Sequence, residues 1–319
     1  MDLEGLSPIS MALFRADPEA FAQALRRDFE ATGFAVVRDH GLDQDLLDLS
    51  AATAKAFFAL PAEEKRRWRP PGQAGARGYT PFGIETAKGH RSPDLKEFWH
   101  VGRELPAGHP YRAVMPENLW PPRPEGFHEV FAALYAAFDA LGRDLMEAVA
   151  LGLGLPRTWF ADKSALGDSI LRLAHYPPVA PGAQGVRAGA HEDINVITLL
   201  LGAEEAGLEI LTRQGRWLAV NSPPGCLVVN VGDMLQRLTN HLLPSTTHRV
   251  VNPPAERAGV ARLSTPFFLH FQPDFEIRTL PSCIDAAHPD RYPTPIKAYD
   301  YLQQRLEEIG LKAAAQPAA

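Results

Sequence analysis

In the first half of the chain apolar residues recur at helical intervals; in the second half they come in short runs cut by turns. Phe21, Leu25 and Phe29 follow Asp17-Pro18 at i, i+4 and i+8. That is one stripe of a helix whose start is marked by a capping Asp and a first-turn Pro. Gly33 ends it, and Phe34–Arg38 reads as a short strand. A second helix is expected over Gln44–Phe58, stopped by Leu60-Pro61. The charged stretch 55–69 reads as a solvated helix face. Residues 69–84 carry Pro70, Pro71, Gly72, Gly75, Gly78, Pro81 and Gly83, which predicts a long surface loop of the kind often tied to function. Phe127, Phe131, Leu134, Phe138, Leu141 and Leu145 then predict a long amphipathic helix reaching Gly152 and Gly154.

From Ser169 onward the texture changes. Apolar runs at 170–174, 194–201, 208–211, 217–220, 226–231, 248–251 and 262–271 are separated by turns such as Gln214-Gly215 and Pro223-Pro224-Gly225. Many short strands at this spacing predict a sandwich or barrel. The expected division is a mostly helical region at 1–160, a β core at 161–310 and a flexible Ala-rich tail at 311–319. No internal repeat is visible.

Composition narrows the classes without naming one. With 319 residues, 45% hydrophobic and 22% charged, the chain is an ordinary globular one able to bury a sizeable core. Its net charge of −6 is spread without a long acidic or basic run, which argues against a nucleic-acid partner. Two cysteines, Cys226 and Cys283, make neither a disulfide framework nor a thiolate metal site, so a reducing cytoplasm is expected. The first residues lack a basic start followed by an apolar run, so no signal peptide is read. The most apolar stretch, 196–202, is far too short to span a bilayer. The expected partner is a small molecule, and the oligomeric state is left open.

Candidate chemistry centres on three residues. His191-Glu192-Asp193 stands just before the run at 194–201, and His248 opens a later one. Residues i and i+2 of a strand share a face, so His191 and Asp193 leave the strand end on one side. Two imidazoles and a carboxylate on a rigid β scaffold fill one face of an octahedron and leave the other open, as in non-haem Fe(II) centres. The motif alone is weak, since 11 His and 38 acidic residues in 319 supply about one His-x-acid by chance. His288-Pro289-Asp290 is a second, with no histidine after it, and reads as a surface turn.

Arg262-Leu263-Ser264, the one Arg-x-Ser of the chain, changes the picture. A guanidinium is a fixed fork for a carboxylate, and a hydroxyl at i+2 reaches the same ligand from the same strand face. Beside iron, such a pair suits the distal carboxylate of a metal-bound dicarboxylate, although a surface ion pair is the plainer reading of Arg262. Tyr176, in His175-Tyr176-Pro177-Pro178, offers a phenol donor.

The motifs form an ordered set along the chain. In the N-terminal part they are Thr32-Gly33-Phe34, His40-Gly41, Phe57-Phe58-Ala59-Leu60-Pro61, Gly78-Tyr79 and Asp94-Leu95-Lys96-Glu97. The C-terminal part adds His191-Glu192-Asp193 with Ile197-Thr198-Leu199-Leu200, Pro224-Gly225, Val229-Asn230-Val231-Gly232-Asp233, Thr239-Asn240, Ser245 with His248-Arg249-Val250, and Arg262 with Ser264. On these residues the chain, over about 5–310, resembles the isopenicillin N synthase-like branch of the 2-oxoglutarate/Fe(II)-dependent dioxygenases.

That resemblance implies a mainly β fold with flanking helices, built on a double-stranded β-helix or jelly roll. It implies an enzyme using Fe(II), 2-oxoglutarate and O2, which oxidises a small molecule and releases succinate and CO2. Iron would sit on His191, Asp193 and His248, and 2-oxoglutarate on Arg262, Ser264 and Tyr176. Three positions depart from the family pattern: Ala174 replaces the usual Asn, Pro244 a common basic residue and His175 a common aromatic. They bear on Tyr176 more than on the triad.

Rival readings stay open at this point. Within the fold they are an ethylene- and succinate-forming enzyme and an isopenicillin N synthase-type oxidase that needs no 2-oxoglutarate. Outside it are a Zn(II) hydrolase with an open fourth position and a non-catalytic cupin-like binding protein, neither of which calls for a dicarboxylate clamp. For the prime substrate the loop candidates are Arg77, Tyr79 and Glu85, with residues 98–100 beside them, because loops over a jelly-roll mouth set specificity. Ordinary exposed loop charges are the plainer alternative. His40, His241 and His270 read as structural histidines and Asp233 as a turn or cap. Phe267, Phe268 and Phe271 read as core, with one alternating face available to line a pocket.

Overall fold

Helices form where capping chemistry and apolar period agree. In the computed structural model, which describes residues 6–70, 75–85, 93–179, 185–201, 207–220 and 222–308, the Asp17 side chain accepts the Ala20 N–H at 3.0 Å. Pro18 fills the first turn, and Gly33 closes the helix at φ 73°. A Cβ there would lie 2.4 Å from the Pro244 carbonyl oxygen, so only glycine fits. The tail at 311–319 lies outside the described residues.

The helices are α1 (Met11–Ala16), α2 (Pro18–Thr32), α3 (Gln44–Phe58), α4 (Ala62–Arg66), α5 (Phe127–Gly152), α6 (Ala161–Ser164), α7 (Asp233–Leu238) and α8 (Ala298–Glu308). The N-terminal strands are β1 (Ile9–Ser10), β2 (Phe34–Arg38), β3 (Gly78–Thr80) and β4 (Glu97–Gly102). Then come β5 (Ile170–Tyr176), β6 (Ala188–His191), β7 (Ile197–Leu201), β8 (Leu208–Leu211), β9 (Trp217–Ala219), β10 (Leu227–Val231) and β11 (His248–Val250). The last are β12 (Arg262–Ser264), β13 (Pro266–Leu269), β14 (Glu276–Ile277) and β15 (Ile296–Lys297).

Two sheets build the core. The larger has nine strands in the order β1-β2-β10-β7-β13-β5-β4-β3, with β12 also on β5. The smaller has four, β6-β11-β8-β9. Phe34 and Val228 of the large sheet cluster with Leu208 and Ile210 of the small one. Phe98, Ala174 and Tyr176 likewise cluster with Ala188 and Val250. The sheets therefore enclose an interior, as the expected jelly roll requires. On the outer face of the large sheet α5 sets Tyr135 and Phe138 against Phe267, with ring centroids 5.2 and 5.7 Å apart.

Alternation along each large-sheet strand sorts side chains between these surroundings. On β5, Leu171 and Leu173 join the helix-side core, whereas Ala174 and Tyr176 join the interior cluster. On β10, Leu227, Val229 and Val231 face the helices and Val228 faces inward.

Three expectations are corrected. The stretch 69–84 is not surface loop throughout, because residues 78–80 form buried β3 and pair with β4. Strand β4, left unread in the sequence, supplies the edge that β3 and β5 bind. Within 55–69, Lys65 is buried rather than solvated, its ammonium 2.8 Å from the Glu97 carboxylate; burying that charge requires such a partner. Pairing also crosses residue 160, since β2 binds β10 and β4 binds β5.

Candidate active site

His191 ends β6 and His248 begins β11, and the two residues face each other across that antiparallel pair. Asp193 follows on the turn into β7. Nε2 of each histidine lies 3.8 Å from the same oxygen, Oδ1 of Asp193. The three ligand atoms all lie within 4.8 Å of one another, the one such His/Cys/Asp/Glu group among the described residues.

The surroundings fix how each ligand points. Nδ1 of His191 lies 2.7 Å from the Gly189 carbonyl oxygen and Nδ1 of His248 3.0 Å from that of Thr246. Each Nδ1–H is thereby donated to backbone, which turns the Nε2 lone pair toward Asp193. The other carboxylate oxygen of Asp193 accepts from the Thr198 hydroxyl at 2.5 Å and from the Asn230 amide at 2.8 Å. That leaves Oδ1 for a cation. Burial and the neighbouring His248 push the His191 pKa down to about 4. Burial alone would raise Asp193, but the two imidazoles and these hydrogen bonds hold it below the usual carboxylate range. A neutral imidazole and an ionised carboxylate are the forms a divalent metal binds. The donor set therefore fits Fe(II).

The 2-oxoglutarate candidates also come together. Arg262 stands directly across from Tyr176 and Ser264 across from Ala174 in the β12–β5 register. The Arg262 guanidinium carbon lies 5.0 Å from the Tyr176 ring centroid, and Arg262 and Ser264 are 3% and 6% exposed. Arg262 is thus an interior residue and not a surface ion pair. Across from Ser264 stands the small Ala174, where the family pattern has Asn.

The three loop candidates divide. Tyr79 faces the helical layer: its hydroxyl donates to Glu97, itself bound by Lys65 and His175, and Phe57 packs on its ring. Arg77 is 1% exposed, its guanidinium paired with Asp168 at 2.9 Å. It fills the notch at Gly102, where a Cβ would lie 2.0 Å from the Arg77 guanidinium carbon. Both are buried in side-chain pairs and not exposed on a loop. Glu85 lies next to Arg172 and Lys96.

Sequence reasoning gave no individual role to Thr198, Asn230, Lys96 and Arg172. A signal existed for two of them. Arg172 interrupts the apolar run of β5 and Asn230 that of β10, and a polar side chain inside a buried strand calls for a reason. Among the residues read as structural, the His40 ring accepts the Leu42 N–H, His241 meets the Tyr292 hydroxyl, Nδ1 of His270 lies 3.1 Å from the Phe268 carbonyl oxygen and His288 binds Asp285 in an exposed turn. Asp233 opens α7 and pairs with Arg305. Phe267 and Phe271 are core, while Phe268 is half-buried.

Comparison with known proteins settles the family. Residues 167–271 match the 2OG-Fe(II) oxygenase superfamily, and residues 5–123 match the N-terminal region described as non-haem dioxygenase in morphine synthesis. A 2-oxoglutarate-Fe(II) type oxidoreductase, hxnY of Emericella nidulans, is 33% identical over 294 residues, 88% of this chain and 82% of its own. The chain belongs to the 2-oxoglutarate/Fe(II) oxygenase superfamily. Proline hydroxylase buaE of Petromyces alliaceus is 33% identical over 90% of this chain and 93% of its own. A 2OG-Fe(II) oxygenase family protein of Caulobacter crescentus superimposes with a TM-score of 0.89 at 56% identity, over 95% of this chain and 98% of that one. A Neurospora crassa protein crystallised with alpha-KG and thymine gives 0.84 at 29% identity, over 96% and 98%.

This oxygenase is accordingly an enzyme of the Fe(II)- and 2-oxoglutarate-dependent dioxygenase class, using O2 and built on the jelly roll. No helix among the described residues is long and apolar enough to cross a membrane.

Proposed function

We propose that Nε2 of His191, Nε2 of His248 and Oδ1 of Asp193 hold the Fe(II) of this oxygenase. We further propose that Arg262 and Ser264 hold the distal carboxylate of 2-oxoglutarate, with the Tyr176 phenol alongside. The observation that carries the reading is the convergence of two backbone-oriented imidazoles on one oxygen of one buried carboxylate. Iron and 2-oxoglutarate supply the oxidising chemistry when bound. The chain's own residues orient the ligands, pair the cosubstrate's charge and shape the interior that receives a small-molecule substrate. A neighbour crystallised with thymine and a relative named proline hydroxylase support a small polar substrate.

Anaerobic titration with Fe(II) and 2-oxoglutarate tests the reading through the charge-transfer absorption that the pair produces on a shared site. The band should appear in the parent protein, fail in His248→Ala and require far more 2-oxoglutarate in Arg262→Ala. A parent-like band in His248→Ala would overturn the metal assignment. Product analysis then separates substrate oxidation from ethylene formation. The branch related to isopenicillin N synthase is supported by the matched N-terminal region, and two free cysteines suit a reducing cytoplasm.

A further inference from the structure

His100 on β4 and Arg172 on β5 form a single connected wall with Glu85, Asp94 and Lys96 from the segments that precede β4. Lys96 places its ammonium 2.6 Å from Glu85 and 2.7 Å from Asp94. Asp94 accepts the Gly189 N–H at 2.9 Å, and the Gly189 carbonyl in turn orients His191. The wall is thus linked to His191 through two successive hydrogen bonds, one to β6 and one within it.

Arg172 is its free-handed member. Its guanidinium carbon lies 4.2 Å from the Phe98 ring centroid and 5.2 Å from that of Phe268. Nε–H donates to Nε2 of His100 at 2.7 Å. His100 can accept because its other nitrogen lies 2.6 Å from the Gly75 carbonyl oxygen and gives its proton there. Burial and the Arg172 charge hold this imidazole neutral, well below its ordinary pKa. Both terminal nitrogens of Arg172 stand 3.5 Å from the Glu85 carboxylate, beyond a full hydrogen bond. Among the described residues, these long contacts leave the terminal N–H groups of Arg172 and one oxygen of Glu85 able to take a closer partner, and the side chains are 18% and 17% exposed.

The charges balance: Lys96 and Arg172 against Glu85 and Asp94. An incoming carboxylate would upset that balance and lie against the Glu85 oxygens, whereas a neutral group offering one acceptor and one donor satisfies both sides. We propose that Arg172 and Glu85 determine specificity for a neutral flat ring with adjoining C=O and N–H, a cyclic amide or imide. Arg172 donates to the ring carbonyl, Glu85 accepts the ring N–H, and the half-buried Phe268 offers an aromatic face for stacking. The proposal rests on the Fe(II)/2-oxoglutarate reading of the cavity.

The test compares uracil and 2-pyridone with benzoate and 2-furoate. Succinate release from the Fe(II)- and 2-oxoglutarate-loaded enzyme is read with equilibrium dialysis of labelled uracil against the loaded and unloaded protein. Cyclic amides should bind and stimulate succinate release, and the acids should not. In Arg172→Ala uracil binding should weaken about tenfold or more, with the 2-oxoglutarate titration of the charge-transfer band unchanged. Glu85→Gln leaves the wall with one net positive charge, so selectivity should invert toward the acids. A merely structural Glu85 would weaken both classes together, and the melting temperature of each variant shows whether it is folded. Preference of the parent for the acids, absence of uracil binding, or unchanged selectivity in Glu85→Gln overturns the proposal. Loss of the charge-transfer band in the parent would instead count against the iron reading, and dialysis still decides the ring.

Discussion

The two faces of the large sheet obey one alternation and serve different ends. On β5 the outward residues are Leu171 and Leu173, both 0% exposed against the helices. The inward ones are Arg172, Ala174 and Tyr176, spaced by the same two-residue step. The pattern repeats on β10, where inward Asn230 supports Asp193 between outward Val229 and Val231, and on β13, where Phe267 and Phe268 part company. Outward positions gain free energy by leaving water. Inward positions forgo part of that gain and keep polar groups oriented toward the interior between the sheets, so the same strand supplies packing on one side and polar groups on the other.

Changes to the triad should separate the faces most sharply. Asp193→Ala or His248→Ala should abolish 2-oxoglutarate turnover while leaving a cooperative melt, measured by succinate release alongside thermal unfolding. Collapse of the melt would show that the inner face also carries the fold. Next, Phe267→Ala and Phe268→Ala test neighbouring residues of opposite face. The first should cost about 3–5 kcal/mol of stability, because it opens a void against Tyr135 and Phe138. The second should lower stability far less and act on substrate binding. Similar denaturation midpoints for the pair would dissolve the comparison.

A smaller effect is expected at Arg262. Removing one member of a buried charge pair costs roughly 2–5 kcal/mol, so Arg262→Ala should weaken 2-oxoglutarate steeply and Fe(II) little. Arg262→Lys should restore only part, since an ammonium makes no planar fork. Equal loss of both ligands would point to a folding role. Smallest is Thr198→Val, which removes one hydrogen bond to Asp193. Loss of such a supporting contact lowers metal affinity by about 10–100-fold, which competition with a chelator would read. Unchanged affinity would leave Asn230 as the sole support.

Much of this was legible along the chain. A cap and period located α2, a Pro stop bounded α3, period located α5, and turn residues bounded β7, β8 and β10, because these signals are local. The triad and the Arg262–Ser264 pair were legible because strand alternation ties i to i+2, and because their order matched a known family. Residues 69–84 misled for a physical reason. Glycine and proline mark a change of direction, not exposure, and β3 is buried by pairing with β4, a partner with no strong strand signature of its own. Lys65 misled likewise, since its partner Glu97 is distant in sequence.

The sequence by itself determined the long helices and the central strands, which positions share a strand face and which side chains are chemically suited to a metal and a dicarboxylate. Only the tertiary structure decided that Tyr79 and Arg77 are buried in structural pairs, while Glu85 meets Arg172 and Lys96 beside the iron candidates. Local periodicity tells which residues point the same way. Which charges meet depends on the strand order of the sheet, where β4 lies against β5 and Asp94 reaches Gly189 across a gap no nearest-neighbour signal spans.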